Sequence, residues 1–164
     1  MKSDRKEVLT ALAQELGRKK EFRSAGEAAV LAVLRTAALM RRALGSRFES
    51  AGLTMTQYNV LRILRGAPEG LPTLQIRRRM LEEAAGITRL VDKLSEDGLI
   101  ERDRPEDDRR QVWCRVTKKG LDLLERCDAR ISAAHAELVS ELSAEESGEL
   151  VRLLMKAMES VRGK

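Results

Sequence analysis

Aromatic residues are nearly absent from this 164-residue chain: two Phe, one Tyr and one Trp make up 2% of it. The core must therefore be built from Leu, Ala, Val, Ile and Met, a mixture that favours helices. Cysteine and histidine are as scarce. Cys114 and Cys127 fall in no CxxC or Cys/His ligand spacing and His135 is the only histidine, which argues against a zinc site and against any bound cofactor. With no Gly-rich phosphate loop, metal-ligand spacing or nucleophile elbow either, catalysis has nothing to start from, and the chain reads as not an enzyme. Long hydrophobic runs are missing too. The longest, such as "AAVLAVL", are far too short to span a bilayer, and "MKSDRKEV" lacks the apolar centre of a signal peptide. A cytoplasmic protein with no membrane partner is expected.

What is present is charge, at 35% of residues, with a net of +5. Its distribution matters more than its sum. Residues 54–117 hold 12 Lys plus Arg against 11 Asp plus Glu, while residues 1–42 hold 10 against 5. If the middle of the chain binds nucleic acid, it does so through where its arginines point.

The length suits one domain, or one domain with an extra arm. Residues 1–23 read as an N-terminal arm or short helix, with Val8, Leu9, Leu12 and Leu16 at helical spacing before "GRKKEF" breaks the pattern. A long helix follows over about 24–50, closed near Gly52 as a left-handed terminator. "LTMTQYNVLRILRG" opens with Thr54 three residues before Gln57, a capping-box spacing, and buries Val60, Leu61 and Leu64. "APEGLPT" reads as a turn with Thr73 capping "LQIRRRML". The next helix, about 85–97, carries Ile87, Leu90, Val91 and Leu94 on one face and ends at Gly98. "LIERD" and "QVWCRV" form a two-stranded hairpin around "RPEDDR", with Trp113 on the face opposite Val112, Cys114 and Val116. After Gly120 a long helix runs to about Leu142 with Leu121, Leu124, Ile131 and Leu138 inward. "SAEE" caps the last helix, whose apolar stripe is Leu150, Leu153, Leu154, Ala157, Met158 and Val161. Three short helices followed by a two-stranded wing is the winged helix-turn-helix plan, mainly α with a small β-hairpin wing and long flanking helices.

Four stretches in this order, "LTMTQYNVLRIL", "ITRLVDKLSEDGLIER", "DDRRQVWCRVTKKG" and the two closing helices, resemble the multiple antibiotic resistance regulator (MarR) family of bacterial transcription factors over about residues 24–162. The resemblance implies a homodimer, with residues 24–53 and 118–164 as its helical dimerisation region and 54–117 as the DNA-reading lobe. It further implies repression relieved by a small molecule and a double-stranded, pseudo-palindromic operator.

By the same resemblance, residues 85–97 take the place of the recognition helix, with Thr88 and Arg89, and Lys93 further along, as candidate DNA contacts. Residues 82–86, "EEAAG", depart from the serines and arginine of many relatives, so base preference does not carry over. Arg77, Arg78 and Arg79 sit on the preceding helix, the one that crosses the phosphate backbone. Successive residues advance about 100° each, so at most two of them, Arg77 and Arg78 among the candidates, face DNA together. In the family's wing an aspartate two residues before an arginine aims it into the minor groove; Asp108 and Arg110 match that pair, with Arg109 and Arg104 placed for phosphates.

The family's effector pocket lies between dimer helices and DNA lobe. By position Arg35, Met40, Arg41, Met55, Tyr58 and His135 are candidate lining residues, suited to a small aromatic or anionic effector. Core is the safer reading of Tyr58, and His135 reads also as merely exposed on its helix. Some relatives sense oxidants through a cysteine in the first helix region, where this chain has none; Cys114 and Cys127 read as small core residues. A competing reading from another class, a winged-helix module for protein contacts without sequence-specific DNA binding, rests on "EEAAG" and the near-neutral lobe.

Overall fold

A computed structural model describes residues 2–81, 86–103 and 111–163. The elements in order are α1 (Lys2–Glu15), α2 (Ala25–Ser50), α3 (Met55–Arg65), β1 (Leu71–Pro72), α4 (Thr73–Arg79), α5 (Ile87–Glu96), β2 (Ile100–Asp103), β3 (Trp113–Val116), α6 (Lys118–Leu138) and α7 (Ala144–Arg162). The chain divides into two compact units, 1–43 and 44–164. Among the described residues no helix is long and apolar enough to cross a membrane.

In the N-terminal unit the Ser24 hydroxyl accepts from the Glu27 backbone N–H at 3.1 Å and starts α2. Two ion pairs tie α2 to what precedes it, Arg35 with Glu15 at 2.7 Å and Arg18 with Glu27 at 3.0 Å.

The second unit contains the main core. α2 ends as expected at a turn where Gly52 has φ +79, and Leu53 leads into α3. There the capping box is complete: the Thr54 N–H donates to Gln57 Oε1 at 2.8 Å and the Gln57 N–H to Thr54 Oγ1 at 3.1 Å. The stripe this start sets up, Val60, Leu61 and Leu64, is wholly buried. Around it close Ile76 of α4, Val91 and Leu94 of α5, Ile100 and Cys114 of the sheet, and Leu124, Cys127 and Ile131 of α6. This one cluster fixes the angles between the short helices.

The sheet differs from the expected hairpin. It has three antiparallel strands in the order β1-β3-β2, with Leu71 opposite Cys114 and Pro72 opposite Trp113 on one edge, and Ile100 opposite Val116 and Arg102 opposite Cys114 on the other. Two residues, one of them proline, carry no alternation to read. Long-range pairing with β3 makes them a strand. The approach is close enough that a Cβ on Gly70, at φ +92, would lie 2.9 Å from the Cys114 carbonyl oxygen.

Thr73 is likewise not the cap of α4. Pro72 holds that position without a side-chain bond, and the Thr73 N–H and hydroxyl both donate to the Val112 carbonyl, at 2.9 and 3.1 Å. The strand carbonyl outcompetes the helix end for this residue.

α6 begins two residues before Gly120, capped by Thr117, whose hydroxyl accepts from the Gly120 N–H at 3.1 Å, and it ends at Leu138 rather than near Leu142. Leu121, expected inward, is 39% exposed, because Leu124, Cys127 and Ile131 form the buried line. Ser143 and Glu146 form the expected capping box of α7. α7 has no buried residue at all, and Leu153 and Met158 of its stripe are 49% and 42% exposed.

Candidate nucleic-acid interface

α5 is amphipathic in the strict sense. Val91 and Leu94 are buried, while Thr88, Arg89 and Lys93 are exposed. Gly86, in the left-handed conformation at φ +88, caps it and offers no side-chain hydrogen bond to the first turn. Lys93 pairs with Asp97 at 2.8 Å one turn on, and that hydrogen bond raises the ammonium above its usual range. Its charge is thus partly answered within the helix.

On α4, Ile76 is buried and Arg77, Arg78 and Arg79 are all exposed, fanned over the solvent side of a helix two turns long. A cleft of about 500 Å³ opens between α4, α5 and the sheet, lined by Thr73, Leu74, Gln75 and Arg78 from one side, Thr88 and Val91 from another, and by Arg102 of β2 and Gln111 ahead of β3. Two of the expected residues, Arg78 and Thr88, are brought together here. Arg102 joins them unannounced by the sequence.

Arg102 is held by an ion pair with Asp92 of α5. Asp92 lies on the flank of α5, between its buried and exposed faces, so the pair ties the wing strand to the helix it must stand beside. Ten residues separate the two charges and no periodicity links them; only the fold of α5 back onto β2 does. A double-stranded nucleic acid meeting this face would find guanidinium groups from two different elements beside a helix N-terminus, an arrangement that suits phosphate oxygens.

Arg104, Asp108, Arg109 and Arg110 lie outside the described residues, as do residues 82–85 of "EEAAG". The remaining candidates are spread over both units. In the second, Met55 and Tyr58 pack against the core, the Tyr58 ring 4.8 Å from that of Phe48 at 40°, and burial pushes the phenol up from its usual range. His135 is exposed on α6. In the first, Arg35 is engaged by Glu15, Met40 is half-buried and Arg41 is exposed. Cys114 and Cys127 are both buried, and burial raises both thiols; the Thr73 hydroxyl lies 3.7 Å from the sulfur of Cys114.

The profile of the MarR family matches residues 53–112, which run from the start of α3 to the edge of β3. A MarR transcription factor from Planctomyces limnophilus is 36% identical, with 82% of this chain and 98% of that chain covered and a TM-score of 0.64. The chain belongs to the MarR family of transcription regulators. A MarR-like transcription regulator from Bacillus cereus, at 20% identity, shares the fold with a TM-score of 0.74 over 84% of this chain and 99% of its own. A mutant MarR from E. coli, determined in complex with operator DNA, is 25% identical with a TM-score of 0.70 over 76% of this chain and 89% of its own. Membership makes the α4–α5–wing face the natural place to look for the interface, and that face is the one on which Arg78, Thr88 and Arg102 meet.

Proposed function

We propose that this MarR-family chain is a homodimeric, cytoplasmic DNA-binding repressor that reads a pseudo-palindromic double-stranded operator and is released from it by a small aromatic or anionic molecule. The observation that carries the DNA reading is the shared cleft of Arg78, Thr88 and Arg102, two guanidinium groups from separate elements flanking the start of an amphipathic helix. α5 enters the major groove with Thr88 and Arg89 nearest the bases and Lys93 further along. Arg77 and Arg78 meet phosphates beside it. The wing tip follows the minor groove, Arg110 aimed by Asp108, with Arg104 and Arg109 on the backbone. That the related E. coli protein forms a complex with operator DNA supports this reading.

Dimerisation is supported by α7. Leu150, Leu153 and Met158 stand 39%, 49% and 42% exposed on one stripe, and covering what remains exposed of each contributes about 1 kcal/mol. A second copy of the same stripe is self-complementary under a two-fold axis, and it brings two recognition helices to half-sites about one helical turn apart. Effector release draws on Arg35, Met40, Arg41, Met55, Tyr58 and His135 as candidate contacts.

Fluorescence anisotropy with the promoter beside the protein's own gene tests the central claim. Saturable binding that weakens steeply with salt is expected, and Arg89→Ala should cost about 1–3 kcal/mol on the specific site. Binding that does not saturate, or that is indifferent to salt, overturns it in favour of a module for protein contacts. A thermal-shift screen of aromatic acids tests the effector arm separately.

A further inference from the structure

The N-terminal unit contains a second cleft, of about 660 Å³, between α1, the turn after it and the first residue of α2. That volume is within the range of about 300–1,000 Å³ typical of small-molecule sites. Its lining is strongly biased in charge. Arg5, Lys6, Arg18, Lys19 and Lys20 line it against Glu21, and with Arg18 already paired to Glu27 a net of three positive charges remains. Among the described residues Lys19 and Lys20 have no acidic partner, and both are exposed. The floor is apolar, formed by Leu9, Ala13 and the ring of Phe22.

Arg18 is the organised element of this cleft. Its guanidinium carbon sits 4.8 Å above the centre of the Phe22 ring and one terminal nitrogen pairs with Glu27 at 3.0 Å. Its Nε is buried with no hydrogen-bond partner among the described residues. A guanidinium held in this way loses little rotamer freedom when an anion arrives.

We propose that this cleft binds a small organic phosphate, an apolar or aromatic body carrying one or more phosphate groups. The charge decides for phosphate over a simple carboxylate, because three net positive charges exceed what one carboxylate neutralises, and lysines suit phosphate as point charges. The floor decides for an organic body over a bare ion, since Leu9, Ala13 and Phe22 offer apolar area that an inorganic anion leaves uncovered. It also decides against the backbone of DNA, which would meet the cations and leave the floor unused. The cleft is built almost wholly from the arm that precedes the region resembling the family, and it has no lining residue in common with the α4–α5 cleft.

Isothermal titration calorimetry on the full chain without DNA tests this, with ADP, phenyl phosphate and pyrophosphate as probes. ADP or phenyl phosphate is expected to bind in the micromolar range and pyrophosphate at least tenfold more weakly. Lys19→Ala combined with Lys20→Ala should lose at least tenfold for the organic phosphate; these two side chains are exposed, so the arm keeps its helical circular dichroism. Phe22→Leu should lose more affinity for the organic phosphates than for pyrophosphate, because it removes apolar contact from the former as well as the ring beneath Arg18 from both. Absence of heat with both organic probes up to millimolar concentration overturns the proposal. Equal affinity for ADP and pyrophosphate also overturns it, because the floor would then contribute nothing. So does a double lysine variant that loses operator affinity while no probe binds, the result expected of a DNA-tracking arm.

Discussion

Gly120 is the place where one added methyl group should do most damage. It is the third residue of α6, buried, with its N–H bound to the Thr117 hydroxyl at 3.1 Å. A Cβ built there would stand 2.3 Å from the Leu99 carbonyl oxygen and 2.8 Å from a Val116 methyl, where ordinary contact begins at 3.4 Å. The oxygen is backbone and cannot swing aside. It also accepts from the Thr117 N–H at 3.0 Å, so α6 can move off it only by losing that bond and the cap with it. Overpacking of this kind costs about 1–3 kcal/mol and a lost cap about 0.5–2 kcal/mol, whereas replacing a helical glycine by alanine returns about 1 kcal/mol. Gly120→Ala should therefore destabilise by about 0.5–4 kcal/mol, centred near 2, or about 1–16 °C in Tm for a chain of this size. Gly148→Ala, with nothing within 4 Å of the new Cβ, is the opposite-sign control and should be neutral or stabilising by up to about 1 kcal/mol. Urea and thermal denaturation at one protomer concentration measure both. If Gly120→Ala proves as stable as the parent, the junction of α6 with the wing is looser than its distances imply, and the reasoning fails.

Met158→Asp combined with Leu154→Asp should convert a dimer to a monomer in light scattering with helicity kept; a parent that is already monomeric at micromolar concentration refutes the α7 interface. Cys114 and Cys127, buried and with thiols raised by burial, should react with a thiol reagent at pH 7–8 only on unfolding, and fast native labelling with loss of operator binding would reopen an oxidant-sensing role. In the wing, Arg110→Ala should cost about 1–3 kcal/mol of operator affinity. Asp108→Ala should weaken binding as well, although it removes a charge that phosphate repels; tighter binding by that variant would mean that net charge, rather than orientation of Arg110, governs the tip.

The sequence by itself determined the features whose causes are local. Thr54 with Gln57 and Ser143 with Glu146 are capping boxes because the partners lie three residues apart in any helix, and the stripes of α3, α5 and α7 follow from one 3.6-residue period. The order of those elements, with the family resemblance, was enough to single out α5 as the candidate recognition helix and to bring Thr88 and Arg78 forward as candidates. What lay beyond the sequence were contacts between residues far apart in it. Leu71 and Pro72 are a strand only because β3 lies alongside them. Thr73 leaves the helix end for the Val112 carbonyl, and Arg102 enters the candidate interface because Asp92 on the flank of α5 draws it there. Leu121 pointed inward on the pattern, but the core is filled by Leu124, Cys127 and Ile131. Helix stripes and caps are encoded within a few residues, whereas strand pairing and cross-element ion pairs are selected only once the core has set which surfaces meet.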